Sequence, residues 1–210
     1  RMRDARGAAQ AAVYLQDPLP EVRASAAVAF LEMGEAGEAH ASEVADLVAD
    51  RFAEVRLAAA DASAAVGGAS GPHAAALLAH PERHVRDTAV QVLGALGGAG
   101  SADAASLLTH RSAAVRSSAL AALGSIGTAA AEHAPAAAQA LHRPLGPGGQ
   151  QGRWPERLEA CRALAGMGEA ALPHAPQVSL LLRDREPPVR AAAAEALTGM
   201  LAASARQGCA

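Results

Sequence analysis

Eight histidines are the residues of this sequence best suited to holding a metal ion, because neutral imidazole is a common ligand of zinc, copper and iron. Six of them recur in register with a repeated Val-Arg phrase, four in one position of the repeat and two in another: His40, His73, His133 and His174, then His80 and His110. A zinc ion needs its ligand atoms about 2.1 Å away, whereas equivalent positions on neighbouring helices lie about 8–10 Å apart. We therefore predict structural histidines and no metal site.

The two cysteines are the candidates for a nucleophile. Cys161 lies five residues after the repeated Val position, where the other copies carry apolar residues, so we interpret it as a buried core residue. Cys209 lies in the C-terminal tail without a candidate base nearby in the sequence. The sequence has no CxxC pair, G-x-S-x-G motif or glycine-rich phosphate loop. We expect no catalytic residue and no cofactor, and we predict that the protein is not an enzyme.

The repeated phrase must come from a repeated structural element. Residues 84–97 read HVRDTAVQVLGALG and residues 114–127 read AVRSSALAALGSIG. The Val of this phrase, which we call the reference position, recurs in five copies, with a Glu in a sixth: Val22, Val55, Val85, Val115 and Val189, and Glu156. The next residue is Arg in all six copies: Arg23, Arg56, Arg86, Arg116, Arg157 and Arg190.

The residues that follow the Arg have the spacing of a helix. Positions four, eight and eleven after the reference share one helical face, and the first of these is Ala in every copy: Ala26, Ala59, Ala89, Ala119, Ala160 and Ala193. A Gly closes five copies, where a helix C-cap favours left-handed backbone: Gly34, Gly67, Gly97, Gly127 and Gly168. The pattern predicts six long helices, here called inner helices, over 19–33, 52–66, 82–96, 112–126, 155–167 and 187–201.

A shorter outer helix completes each copy, as in HASEVADLVAD over 40–50. Two helices of this size cannot bury their own apolar faces, so the copies must stack. We predict an N-terminal extension over 1–6 and a C-terminal tail over 204–210. Between them, residues 7–203 form a stack of units over 7–35, 36–68, 69–98, 99–128, 129–168 and 169–203.

The repeated sequence, with its Val-Arg, its Ala four residues after the Val and its closing Gly, resembles the HEAT repeat. It is most similar to the short HEAT repeats that are also seen in phycobilin-lyase-like proteins. The resemblance implies an all-α fold, an α-α superhelix of about six helical hairpins related to armadillo repeats. HEAT repeats serve many unrelated systems, so the resemblance indicates fold and leaves function open. Deoxyhypusine hydroxylase, an enzyme family built on this fold, holds two irons with His-Glu dipeptides. This sequence has no such dipeptide.

The row of arginines has two interpretations. It could grip nucleic-acid phosphates, but the net charge is −3 and aromatic residues for base stacking make up only 2 % of the chain. Alternatively, each Arg ties its helix to the preceding turn, since three of them follow an Asp by six residues: Asp17/Arg23, Asp50/Arg56 and Asp184/Arg190. We favour the structural tie and expect no nucleic-acid partner.

The composition and the outward positions predict a protein-binding scaffold or adaptor. Positions two and six after the reference, which we call the wall, should face a partner helix or extended segment. The wall residues chosen as candidate contacts are Leu57, Asp61, Asp87, Gln91, Leu158 and Arg162. Two alternatives stay open: a structural subunit of a large assembly, with an organellar location included, and a chromophore-lyase-like accessory subunit.

One insertion interrupts the repeat. The fourth and fifth reference positions are 41 residues apart, and the excess falls in HRPLGPGGQQGRW over 142–154. Its prolines and glycines predict a projecting loop. Trp and Arg are enriched at binding hot spots, so Trp154, Arg153 and Arg143 are further candidate contacts. The competing interpretation is a surface insertion without a role in binding.

The location of the protein is predicted only coarsely. No run of eighteen apolar residues is present, so we expect no membrane insertion. Two unpaired cysteines favour a reducing compartment, the cytoplasm, with an organelle left open if a targeting segment has been removed.

Overall fold

The computed structural model describes the backbone of residues 2–142 and 154–207, and the side chains of residues 6–142 and 154–202. Within these ranges the chain is helical and contains no strand. It divides into two compact units, residues 1–100 and residues 101–210, which are described in turn.

Unit 1 contains three pairs of helices. Its helices are α1 (Met2–Tyr14), α2 (Pro20–Met33), α3 (Ala41–Asp46), α4 (Ala53–Val66), α5 (Gly71–Leu77) and α6 (Arg83–Leu96). Each short or outer helix packs on the inner helix that follows it, and the inner helices pack in sequence, α2 on α4 and α4 on α6. Helix α1 begins at Met2, within the stretch expected as an N-terminal extension.

Unit 2 repeats the arrangement. Its helices are α7 (Ser101–Ser106), α8 (Ala113–Ile126), α9 (Ala134–Gln139), α10 (Trp154–Met167), α11 (Ala175–Leu180) and α12 (Pro187–Gln207). Helix α10 packs between α8 and α12. The last helix continues to Gln207, so it includes part of the expected C-terminal tail.

The predicted inner helices are confirmed to within about a residue at their starts, and five of the six end where expected. The reason is local, because the apolar stripe and its closing Gly are written inside each helix. All five closing glycines have left-handed φ, between 55° and 97°, a region that costs other residues steric strain. A single or double turn of 3-10 helix then leads from each Gly to the next outer helix, as in Gly127–His133.

The core of each unit is lined by the predicted stripe. The Ala four residues after each reference position is at most 6 % exposed, which lets neighbouring inner helices approach closely. Larger side chains fill the remaining positions, among them Phe30, Leu93, Leu123 and Met200, none of them exposed.

None of the described helices is both long enough and apolar enough to cross a membrane.

Candidate protein-interaction surface

In unit 1 the predicted wall lies on neighbouring helices. Leu57 and Asp61 are one turn apart on α4, and Asp87 and Gln91 take the same two positions on α6. All four side chains are exposed, and Leu57 retains 58 % of its surface. Val28, at the second of these positions on α2, is 43 % exposed. Because α2 packs on α4 and α4 on α6, these positions form parallel rows roughly 10 Å apart.

The charges of this surface are unevenly neutralised. The carboxylate of Asp87 lies 3.4 Å from Nε of Arg83, one turn earlier on the same exposed helix face. In the described part of the chain, Asp61 has no ion-pair partner. An exposed leucine beside an unpaired carboxylate is therefore the most distinctive chemistry of the wall in unit 1.

In unit 2 the prediction is wrong for one wall residue. Leu158 has the position on α10 that Leu57 has on α4, yet it is only 9 % exposed. Arg162, one turn later, is exposed and donates a hydrogen bond to Oε1 of Glu159 at 2.9 Å.

Of the three candidate contacts in the insertion, the structure describes only Trp154. Trp154 is the first residue of α10 and is half-buried. Arg143 and Arg153 lie outside the described residues, as do residues 144–152 of the predicted loop.

The row of arginines ties each turn to the helix after it, as predicted, but through backbone oxygens. In each of five copies Nη1 donates to the carbonyls of the residues six and five before the Arg. For Arg56, these are the carbonyls of Asp50 and Arg51, at 2.9 and 3.1 Å. The same pair of bonds is made by Arg23, Arg86, Arg116 and Arg190.

The aspartate side chains have a different partner from the one expected. Asp50 does not pair with Arg56 of its own copy; its two oxygens accept Nε and Nη2 of Arg23, from the copy before, at 2.8 and 3.1 Å. Asp184 likewise accepts Nε and Nη2 of Arg157, at 2.7 and 2.9 Å. The predicted pairing of each aspartate with the arginine of its own copy is therefore wrong. The guanidinium pairs instead with the aspartate at the turn of the copy stacked next to it. We call these contacts the bidentate ladder.

Burial and hydrogen bonding oppose each other at these carboxylates. Burial by itself would raise the pKa of Asp50, but the hydrogen bonds from Arg23 and from the backbone N–H of Phe52 outweigh it. The pKa of Asp50 is therefore lowered below its ordinary value. The pKa of Asp184 is lowered for the same reasons, with Arg157 and the N–H of Glu186 as donors.

Glu156, the exception at the reference position, replaces a missing aspartate of the ladder. The turn position five residues before it is Gln151, which has no carboxylate. Glu156 itself, only 2 % exposed, accepts Nε and Nη2 of Arg116, both at 2.7 Å. The Glu at the reference position thus keeps the bidentate contact in a copy whose turn position has no aspartate.

Three histidines whose contacts the structure describes have structural roles in turns or in packing. His80 and His110 stand at the turn position of Asp50 and accept a backbone N–H through Nδ1, from Glu82 at 3.2 Å and Ser112 at 3.1 Å. His40 packs edge-on against Phe30, with ring centroids 5.8 Å apart. In residues 6–142 and 154–202, no three His, Cys, Asp or Glu side chains cluster in a way that could hold a metal ion.

Cys161 is fully buried, as expected for a core residue. Burial raises the pKa of its thiol to about 12, so it is protonated and unreactive at neutral pH. Cys209 lies outside the described residues.

No protein-family model matches this sequence, and no curated protein does. Solved structures do match. An engineered protein from the Northeast Structural Genomics Consortium has a TM-score of 0.51 at 18 % identity, over 94 % of this chain and 97 % of that chain. A second from the same consortium has a TM-score of 0.50 at 18 % identity, over 92 % of this chain and 98 % of that chain. The fold of this chain is of the armadillo/HEAT type, a series of repeated helical hairpins.

A designed armadillo repeat protein in complex with the peptide (KR)4 is also similar, with a TM-score of 0.49 at 17 % identity, over 91 % of this chain and 98 % of that chain. The helices of the described residues and the two engineered structures above confirm the predicted all-α fold of repeated helical hairpins. Identities this low are informative about the armadillo/HEAT-type fold alone, so function has to be argued from this chain's own surface.

Proposed function

We propose that this armadillo/HEAT-type protein is a non-catalytic interaction scaffold that binds a basic, partly apolar segment of another protein along its wall. The observation that carries the proposal is Leu57 at 58 % exposure, one turn from the carboxylate of Asp61, which has no ion-pair partner among the described residues. Neither residue is part of the buried stripe, so the packing of the core does not require Leu or Asp at these positions.

The wall is suited to an elongated partner. Leu57 and Val28 offer apolar surface, while Asp61 and Asp87 offer negative charge for Lys or Arg. An amphipathic helix reads such a surface through side chains three, four and seven residues apart. The inner helices under the wall are positioned by the close packing at each Ala, so the surface is organised before the partner arrives.

The test uses two labelled peptides in a fluorescence polarisation assay. One is an amphipathic helix with Leu and Arg on one face, and the other has Glu in place of each Arg. We expect the Arg peptide to bind with roughly micromolar affinity and the Glu peptide to bind at least about tenfold more weakly. Equal binding of the two peptides would contradict the proposal.

Variants locate the binding surface. Leu57→Ala and Asp61→Asn should each weaken binding of the Arg peptide several-fold, because they remove the apolar and the acidic contact separately. Asp46→Arg, at an exposed position on the outer helix α3, is the control and should leave binding within about twofold. If neither wall variant weakens binding, the wall is not the contact surface.

We include Trp154 of unit 2 in the proposal as a separate candidate contact. It is half-buried at the start of α10, so part of its ring is accessible. Trp154→Ala, and separately removal of residues 145–152, should weaken capture of the same peptide if the insertion takes part. Unchanged capture by both variants would restrict binding to the helical wall.

A further inference from the structure

The bidentate ladder lacks an acceptor at one position inside unit 1. Nη1 of Arg56 donates to the carbonyls of Asp50 and Arg51, at 2.9 and 3.1 Å, so the guanidinium is held by its turn as in the other copies. Among the described residues, Nε and Nη2 of Arg56 have no acceptor. Arg56 is half-buried, whereas Arg23, whose Nε and Nη2 hold a carboxylate, is only 9 % exposed. We call the Nε and Nη2 edge of Arg56 the open fork.

The residue at the matching turn position does not supply this acceptor. In the register of the repeat, position 80 stands to Arg56 as position 50 stands to Arg23, but it holds a histidine. Nδ1 of His80 accepts the backbone N–H of Glu82 at 3.2 Å. The other ring nitrogen, Nε2, therefore carries the proton of the neutral ring and is a donor. A guanidinium opposite this histidine needs its acceptor from elsewhere.

The rest of the ladder shows that such a fork takes a carboxylate from more than one place in the chain. The forks of Arg23 and Arg157 hold an aspartate of a turn. The fork of Arg116 holds Glu156, which lies inside helix α10. The fork therefore selects the carboxylate through its two parallel donors and its charge, and the backbone that carries the carboxylate can vary.

Further positive charge lies at the same end of the inner helices of unit 1. Arg51 is exposed in the turn before α4, and Arg83, which also pairs with Asp87, is exposed at the first residue of α6. The free backbone N–H groups at the start of both helices add partial positive charge. Glu54 and Glu82 are exposed there too. The edge is therefore complementary to one or two carboxylates and not to a long acidic run.

We propose that the open fork of Arg56 binds the side-chain carboxylate of a Glu or Asp in a segment of another protein. The guanidinium is already oriented by its turn, so binding orders little of this chain. A bidentate pair fixes the direction of the bound carboxylate as well as its charge. The site is separate from the wall, for which we propose basic side chains as partners.

The test follows the Nε–H signal of Arg56 by NMR of 15N-labelled protein, assigned by its loss in Arg56→Lys. The probes are two flexible peptides of Gly and Ser, one with two Glu residues and the other with Gln in their place. We expect the Glu peptide to shift this signal with roughly millimolar affinity and the Gln peptide to leave it unchanged. Acetate and inorganic phosphate should bind several-fold more weakly, because neither has a second carboxylate for Arg51 or Arg83.

A substitution in the neighbouring turn separates an occupied fork from a damaged fold. His80→Asp supplies the missing carboxylate from within the chain, so it should shift the Nε–H signal of Arg56 without any peptide. It should also weaken binding of the Glu peptide by about tenfold or more, because the fork is then filled. His73→Asp, the same change at an exposed position of the outer helix α5, is the matched control and should leave binding within about twofold.

Three results would overturn the proposal. The first is equal shifts with the Glu and Gln peptides, and the second is binding of the Glu peptide that His80→Asp leaves unchanged. The third is acetate or phosphate binding as tightly as the Glu peptide, which would show a site for free oxyanions and not for a protein segment. These readouts use no basic peptide, so they are independent of whether the wall binds one.

Discussion

At the scale of the residue, the arginine after each reference position joins two levels of structure. Its Nη1 closes the turn of its own copy, and its Nε and Nη2 hold a carboxylate of the next copy where one is available. Hydrogen bonds to charged partners are stronger than neutral ones, and the fork of a guanidinium fits both carboxylate oxygens. One side chain therefore fixes both the turn and the stacking of the following copy.

The carboxylates of the ladder predict a specific dependence of stability on pH. The pKa of Asp50 is lower in the folded protein than its ordinary value near 4. Its stabilising contribution is therefore complete above about pH 4 and is lost as the pH falls through the lowered pKa. Asp50→Asn, which can still accept the N–H of Phe52, should reduce the free energy of unfolding at pH 7 by about 1–3 kcal/mol.

The measurement is urea unfolding of dilute protein between about pH 7 and pH 3. The difference between wild type and Asp50→Asn should shrink below about pH 4. Asp17→Asn is the matched control and should be nearly neutral, because Asp17 makes the same turn bond but has no arginine on its carboxylate among the described residues. A difference that stays constant with pH would show that the ion pair contributes nothing to stability.

At the scale of the element, two glycines allow the inner helices α8 and α10 to approach closely. A Cβ on Gly166 of α10 would lie 2.6 Å from the carbonyl oxygen of Gly124 of α8, and one on Gly124 would lie 3.2 Å from Cα of Ala163. Both obstacles are helical backbone, which cannot rotate away as a side chain can. The two glycines thus set the distance between α8 and α10.

This contact predicts opposite effects for the same substitution at equivalent positions. Gly166 and Gly199 both lie ten residues after their reference positions, but a Cβ on Gly199 meets nothing within 4 Å. Gly166→Ala should destabilise the protein by about 1–3 kcal/mol through overpacking. Gly199→Ala should stabilise it by about 0.5–1 kcal/mol, because alanine favours a helix interior. Thermal unfolding of the two variants tests this prediction. Equal shifts of the two melting midpoints would contradict the close approach of α8 and α10.

At the scale of the whole molecule, the chain tolerates an irregular repeat because each copy contacts mainly its neighbours. The period between reference positions is 30 or 33 residues except across the insertion, where it is 41. The buried pair of Arg116 and Glu156 joins the copies on either side of that longer connection. The core of unit 2 is therefore continuous across it.

Removal of residues 145–152 tests this continuity. The deletion takes out eight residues and leaves a period of 33, the same as in the first and last intervals. We expect helical circular dichroism per remaining helical residue to be unchanged and the melting midpoint to shift by only about 2–4 °C, equivalent to about 1 kcal/mol. A substantial loss of helicity would mean that the insertion is part of the core. Replacement of 145–152 by a Gly-Ser stretch of equal length controls for loop closure.

The sequence by itself determined the features that are encoded inside one copy of the repeat. The stripe of positions four, eight and eleven and the closing Gly predicted the inner helices closely, since helical periodicity and left-handed caps depend on neighbours along the chain. The buried Ala and the unreactive Cys161 followed from the same register.

Only the tertiary structure decided features that depend on a second copy. It paired Asp50 with Arg23 of the copy before, although Arg56 is closer in sequence, and it explained Glu156 as the replacement for a missing aspartate. It also buried Leu158, which has the same register as the exposed Leu57. The position of a residue in the repeat fixes the side of its own helix on which it lies. Its contacts and its burial depend on what packs against that side.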